Sequence, residues 1–329
     1  MGRRSSNKRR DEDAPPTNWT GAGPNPSLQM VNNISEIRNK ARRQELYFKL
    51  KKEKNKERRE ARLRRVKEAK ALGENAPPKQ IPRTLENTRE PDETTIQVGD
   101  DEVELDDLTD EFASYFAKEY VPKILITTVD KPRGSTIKFC RELELVLPNA
   151  EFRYRNYAHL KKAIPQAIER GFTDFLVINE HRGKPSGLLV IHLPDGPTAY
   201  YKLTSVKHMK DIKKAAEYTP HRPEVLLNNF GTRLGHSVSR MLAALFHYNP
   251  EFHGRRVITF HNQRDFVFFR HHRYEFGANG QKCRLQEIGP RFTLKLQSLQ
   301  KGAFDSKYGE YEWILKRHEM ETSRRRFFL

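Results

Sequence analysis

Cysteine is almost missing from this chain. Its 329 residues include only Cys140 and Cys283, too few for a disulfide framework and without the Cys-x-x-Cys spacing of a structural zinc site. Both are expected to be reduced residues of an intracellular protein. No apolar run approaches the roughly 20 residues that span a bilayer. The opening MGRRSSNKRR leads into no hydrophobic stretch of the kind a secretory signal needs. No membrane partner is therefore expected, and the sequon Asn18-Trp19-Thr20 has no use in a chain that is not secreted.

Recognisable catalytic and cofactor patterns are missing too. Gly231 and Gly235 flank a helix start, but no Walker or GxGxxG pattern follows a strand. His271 and His272 are adjacent, so on a strand they point to opposite faces and chelate poorly; no HxxxH or Cys/His grouping assists them. His261 and Asp265 flank a turn and suit acid–base work, yet polar hairpin turns carry such residues routinely. The absence of clustered carboxylates argues against two-metal cleavage. The expectation is a protein that is not an enzyme and needs no cofactor.

What the chain has is positive charge. Its formal net charge is +18 and its pI about 9.8, which favours a polyanionic partner. The charge is blocked. Residues 38–70 hold 16 basic and 5 acidic residues, whereas residues 86–111 hold 12 acidic residues and one basic. These blocks cancel, so the chain from Phe112 onward is basic in its own right.

Composition divides the chain. Residues 1–32 are polar and rich in proline and glycine, and are expected to be disordered; Arg3-Arg4 and Lys8-Arg9-Arg10 suit nuclear import. Residues 33–72 read as one long basic helix, with Asn33 and Glu36 at capping-box spacing and Gly73 beyond its end. It has no sustained apolar seam, so a coiled coil is not expected; it lies along RNA, threads a large particle or stays solvated. Residues 73–108 read as a linker, Pro-rich and then acidic, with the acidic part solvated or shielding the basic helix. A short helix is predicted over 109–118.

Strand and helix patterns then alternate from about Tyr120, which predicts an α/β layer. Strands are expected at 123–129, 151–155 and 175–179, with a helix after Ser135 and another over 157–170 that Pro165 must kink or restart. Residues 187–193 and 198–205 pair as a hairpin. The order recurs loosely: a strand at 224–228, a helix over 233–246, a central hairpin, then a strand pair at 281–288 and 292–299. Residues 305–329 form an extension ending in Arg324-Arg325-Arg326 and Phe327-Phe328-Leu329, an apolar end suited to docking.

The central hairpin, VITFHNQRDFVFFRHHRYE over residues 257–275, organises the rest. Aromatic and branched residues favour strands at 257–261 and 266–274 around a polar turn. Arg255 and Arg256 precede it, Arg264 lies at its tip, and Arg270, His271, His272 and Arg273 crowd its second arm. Phe266, Phe268, Arg270, His272 and Tyr274 share one face and Val267, Phe269, His271 and Arg273 the other. The expected division is a core near half and an exposed basic far half. Two readings fit: a phosphate-holding ribbon with stacking faces, or a core hairpin with a solvated end.

Beyond this point the sequence is specific. NFGTRLGHSVSRMLAALF followed by PEFHGRRVITFHNQRDFVFFRHHRYEF resembles the second half of a Brix domain, and the likeness extends over about residues 120–304 and the C-terminal tail. The resemblance implies a fold of two similar α/β halves, each like the anticodon-binding domain of class II aminoacyl-tRNA synthetases, here preceded by the long basic helix and the acidic linker. It implies a nuclear, nucleolar assembly factor for the large ribosomal subunit. Its implied partners are precursor rRNA, other assembly factors and ribosomal proteins. The family's RNA-binding segment falls on Arg270, His271, His272, Arg273, Lys282 and Arg284. Physical reading adds Arg264 at the turn and Tyr274 as a stacking or hydrogen-bonding group. Glu275 sets an acid beside the cluster and leaves RNA one face there. The rival reading is a protein–protein scaffold with incidental RNA contact.

Overall fold

The computed structural model describes residues 34, 37–73, 81–84, 87–90, 92–97, 99–277, 280, 282–305, 307–316 and 326–329. The basic tail clusters, Asn33, Glu36, Pro77, Pro78, Arg324 and Arg325 lie outside them. The chain divides into two compact units, Met1–Pro82 and Arg83–Leu329.

The first unit contains helix α1 (Lys40–Leu72), 33 residues long, or about 50 Å. It starts later than its composition predicts, at a cap formed by Asn39: the Asn39 side chain accepts from the backbone N–H groups of Ala41 (3.1 Å) and Arg42 (3.3 Å). None of its residues is buried, as its scattered apolar positions require. The exposed pairs Lys56–Glu60 and Arg64–Glu68 each contribute about 0.3 kcal/mol.

The second unit is built on one sheet of 11 strands. The first half supplies β1 (Ile124–Thr128), β2 (Ala150–Phe152), β3 (Asp174–His181), β4 (Lys184–His192) and β5 (Thr198–Lys207). The second supplies β6 (Glu224–Asn228), β7 (Arg256–Gln263), β8 (Phe266–Phe276), β9 (Cys283–Glu287) and β10 (Arg291–Gln300), with β11 (Tyr311–Ile314) beside β10. The order is β2-β1-β3-β4-β5-β10-β8-β7-β6. Each half repeats one plan. A strand passes through a helix to a parallel neighbour, and an antiparallel meander follows. In the first half, α4 (Gly134–Val146) links β1 to β2, which lies parallel to β1, and β3 pairs with β1 on its other side. In the second, α6 (Arg233–Ala244) links β6 to its parallel neighbour β7. The halves join where β5 pairs antiparallel with β10.

Helices α4 and α6 lie over the same face. Phe139, Leu143 and Val146 of the first and Val238, Met241 and Leu242 of the second share a core with Ile126, Tyr201, Leu294 and Phe269. On the opposite face, only the first half is covered by a helix among the described residues. There α5 (Leu160–Glu169) packs Ile164 and Ala167 on Phe175, Val177, Leu189 and Ile191. Pro165 sits inside α5 without ending it. The helix begins later than 157 because Asn156 and Tyr157 hold left-handed φ angles of 47° and 65°.

Four expectations are corrected. The end of the acidic stretch is not an unstructured linker: it forms α2 (Asp101–Thr109), capped by Asp100 and without a buried residue, and pairs with α6. Arg240 grips Asp110 through Nε (2.6 Å) and a second nitrogen (2.8 Å), His236 Nε2 meets Asp107 at 2.8 Å, and Arg233 meets Glu102. The helix predicted over 109–118 shrinks to α3 (Ala113–Phe116), where the Tyr115 hydroxyl donates to the carbonyls of Ala243 and Phe246. Ser135 does not cap α4 through its side chain, which faces His208 Nε2 at 3.1 Å. Finally, β9 and β10 do not pair with each other. Both lie against β8, β9 along its far end and β10 along its near end.

Candidate nucleic-acid interface

Strand β8 frames the candidate site. The two strands of its hairpin run to Gln263 and from Phe266, so the turn is only Arg264-Asp265, both left-handed at φ 55° and 63°. Such turns match the twist of the strands, and aspartate tolerates that backbone better than most residues. Asp265 is anchored besides: its carboxylate accepts the backbone N–H groups of Phe328 and Leu329. The apolar C-terminal residues thus dock on the hairpin turn of their own unit. Asn262 Nδ2 donates to Leu329 O at 2.8 Å, and Leu329 is buried. His261 and Asp265 accordingly form no acid–base pair.

Core and solvent divide β8 by face rather than by half. Val267, Phe269 and His271 are buried, whereas Phe266, Phe268, Arg270, His272 and Tyr274 lie on the other face with partial or full exposure. The core face reaches solvent only at Arg273 and Glu275.

His271 is therefore removed from any surface that could touch RNA; its exposure is 0%. Nδ1 lies 2.6 Å from Gly289 O, and Nε2 lies 3.1 Å from Arg256 Nε. A carbonyl only accepts and a guanidinium only donates, so Nδ1 carries the proton and Nε2 none. Burial first, then the Arg256 charge, holds its pKa down at about 3. Arg256, basic in sequence, is equally internal, stacked 4.7 Å over Tyr218 and donating to Thr219 O at 2.6 Å.

The remaining residues fall into three groups. Arg273, Lys282 and Arg284 are exposed on the β8–β9 ribbon, where Arg273 opposes Gln286 and Glu275 opposes Arg284. Glu275 is also 4.0 Å from Arg255. On the other face, Arg270 is half-buried, its guanidinium 5.6 Å from the Phe268 ring and donating to Phe269 O at 2.7 Å. Burial and the nearby Arg291 both lower its pKa, and burial lowers that of His272. The Tyr274 hydroxyl donates to Glu224, which pushes its pKa to about 12, so only the ring is available for stacking. Arg264 stands alone: exposed at the turn, about 30 Å along the strand from Arg273.

Ion pairs hold several arginines of the unit. Arg222 pairs with Glu251, Arg233 with Glu102, Arg240 with Asp110 and Arg155 with Asp130. Among the described residues, Arg264, Arg270, Arg273, Lys282, Arg284 and Lys295 have no carboxylate within ion-pair distance. Lys295 on β10 was not evident from sequence; its Nζ sits 4.8 Å over the Phe266 ring, a neighbour that only the sheet order supplies. No group of three or more His, Cys, Asp or Glu among the described residues is arranged to hold a metal ion. No described helix is long and apolar enough to cross a membrane.

Comparison with known proteins adds a family. Residues 130–298 match the Brix domain. The chain is 56% identical over 297 residues to ribosome production factor 1 of Pongo abelii, covering 90% of this chain and 85% of that protein. It is 42% identical over 305 residues to ribosome production factor 1 of Saccharomyces cerevisiae, covering 91% and 99%. The crystal structure of a probable ribosomal biogenesis protein from Aeropyrum pernix K1 covers 59% of this chain and 99% of its own, at 16% identity and a TM-score of 0.41.

Proposed function

The chain belongs to the Brix domain family, and on that premise we propose that it is a ribosome biogenesis factor that binds precursor rRNA of the large subunit in the nucleolus. It supports processing and assembly there as a binding protein, without catalysis. The observation that carries this reading is the cluster of exposed cations on the β8–β9 ribbon, Arg273, Lys282 and Arg284, with no carboxylate within ion-pair distance among the described residues. Unpaired cations on a rigid ribbon hold phosphates and release their counterions on binding. Arg270, Arg273, Lys282 and Arg284 make those contacts, with Arg264 as an outlying one; His272 and the Tyr274 ring stack or hydrogen-bond. Phosphate contacts carry no base information, so affinity without strong sequence preference is expected.

The test is crosslinking with RNA sequencing in cells, comparing wild type with Arg273→Glu/Arg284→Glu. Crosslinks on large-subunit precursor rRNA that vanish in the variant support the assignment. Crosslinks that persist unchanged move the RNA contact away from the ribbon.

One observation favours a second reading. Phe276 and Leu285 are 61% and 60% exposed at the tip of the same ribbon, as a protein-docking edge would be. Salt separates the two: a phosphate interface weakens steeply between roughly 50 and 200 mM, and an apolar one persists.

A further inference from the structure

We propose that the uncovered face of the second half's sheet seats single-stranded RNA, with unstacked bases against Phe266 and Phe268 and phosphates at Lys202, Lys295 and Arg270. This rests on the RNA-binding reading above and extends it to a second surface that shares Arg270 with the first.

The two halves argue for it by their difference. In the first, α5 covers the sheet face opposite the shared core with Ile164 and Ala167. In the second, the connection from α6 to β7 holds only a short 3₁₀ turn, Phe252–Gly254, and no described helix covers the equivalent face. A bare sheet face in a folded unit normally carries polar residues. This one carries phenylalanines beside cations instead. Phe266 is 37% exposed, with Lys295 Nζ 4.8 Å from its ring and Arg270 5.6 Å from that of Phe268.

The charges are arranged at a cost. Lys202 lies directly opposite Lys295 across the β5–β10 seam, and like charges facing each other across strands destabilise a sheet. Neither lysine has a carboxylate within ion-pair distance among the described residues. A polyanion along the seam removes that cost.

Spacing selects the form of the polyanion. Phe266 and Phe268 are two residues apart on one face, about 6.8 Å, twice the 3.4 Å rise between bases in a duplex. Neighbouring rings therefore take bases that are unstacked from each other. A duplex hides its base faces, whereas a single strand offers them to aromatic side chains.

The experiment is fluorescence anisotropy of the full chain with a labelled, unstructured ten-nucleotide RNA and with the same sequence as a duplex, each across a salt series. The variants are Phe266→Ala/Phe268→Leu, Lys202→Ala/Lys295→Ala and Arg273→Glu/Arg284→Glu. Thermal unfolding reports whether each variant folds, and the lysine variant should melt no lower than wild type because it relieves a repulsion. The aromatic variant should weaken single-strand binding about tenfold or more with an unchanged salt slope, and the lysine variant should flatten that slope. Three results overturn the inference: an aromatic variant that folds and binds within twofold of wild type, a wild type that binds duplex as tightly as single strand, or a lysine variant with the wild-type slope. If the ribbon variant alone loses binding, the RNA reading stands and this surface does not. If wild type binds neither RNA, both fall.

Discussion

Asp265 and Leu329 meet head to tail: one oxygen of the hairpin-turn carboxylate accepts the Leu329 backbone N–H at 2.9 Å, and that of Phe328 at 2.7 Å. Asp265→Ala leaves both donors without this partner and should cost about 2 kcal/mol in denaturant unfolding, with residues 326–329 becoming accessible to carboxypeptidase. Asp265→Asn keeps an acceptor oxygen and should lose about half as much. Gly235→Ala attacks the same dock from the other side, since a Cβ there would lie 2.9 Å from the Leu329 carbonyl carbon. Equal stability in Asp265→Ala and wild type would mean that the dock contributes nothing.

His271 makes stability depend on pH. Its pKa is held at about 3 in the folded chain against about 6.5 unfolded, so the unfolded state binds the extra proton. Its contribution is present above about pH 6.5 and is lost as pH falls toward 3, at up to about 1.4 kcal/mol per pH unit. His272 and His247 are shifted in the same direction. Urea unfolding of wild type and His271→Gln between pH 7.5 and 4.5 isolates the one residue: the variant should start less stable and lose stability less steeply.

The Arg240–Asp110 pair should behave as a buried bridge does. Asp110→Ala leaves the buried guanidinium with only the Asp107 carboxylate, at 3.4 Å, as its charge partner and should cost about 2 kcal/mol, whereas Asp110→Ala/Arg240→Met should cost less than the two single changes added together. Thermal unfolding of the four proteins measures the coupling. Strict additivity would mean that α2 rests on α6 without this pair.

Salt dependence sorts the arginines. Arg273→Gln and Arg284→Gln should each lower the slope of log affinity for single-stranded RNA against log salt by about 0.7. Arg233→Gln, whose charge is already answered by Glu102, should leave the slope unchanged. An equal effect from all three would make the contact diffuse.

What could be read in the sequence was local. The strand Glu224–Asn228 and the start of α6 at Arg233 follow from apolar spacing; the Thr232 hydroxyl that caps the helix came to light only in the folded chain. The alternation of β8 named its two faces correctly. It did not say which was inside, because Arg256 and Gly289, the groups that satisfy His271, reach it only through the folded sheet. The acidic stretch misled for a related reason. Composition shows twelve acids but not that Arg240, far along the chain, waits for Asp110. Nor can strand propensity show that β9 and β10 share β8 as a partner rather than taking each other. Lys295 entered the candidate site only through that pairing.

The β5–β10 seam makes the two repeats inseparable. Splitting the chain between them, in the loop from 208 to 223, would strip a row of backbone donors and acceptors from each new edge and bare Leu203 on one fragment and Leu294 and Leu296 on the other. Exposed apolar edges of that kind recruit further strands. The fragments should therefore precipitate when made singly and regain solubility when made together. Two halves of one plan, joined along this seam, cannot be dissected into working parts.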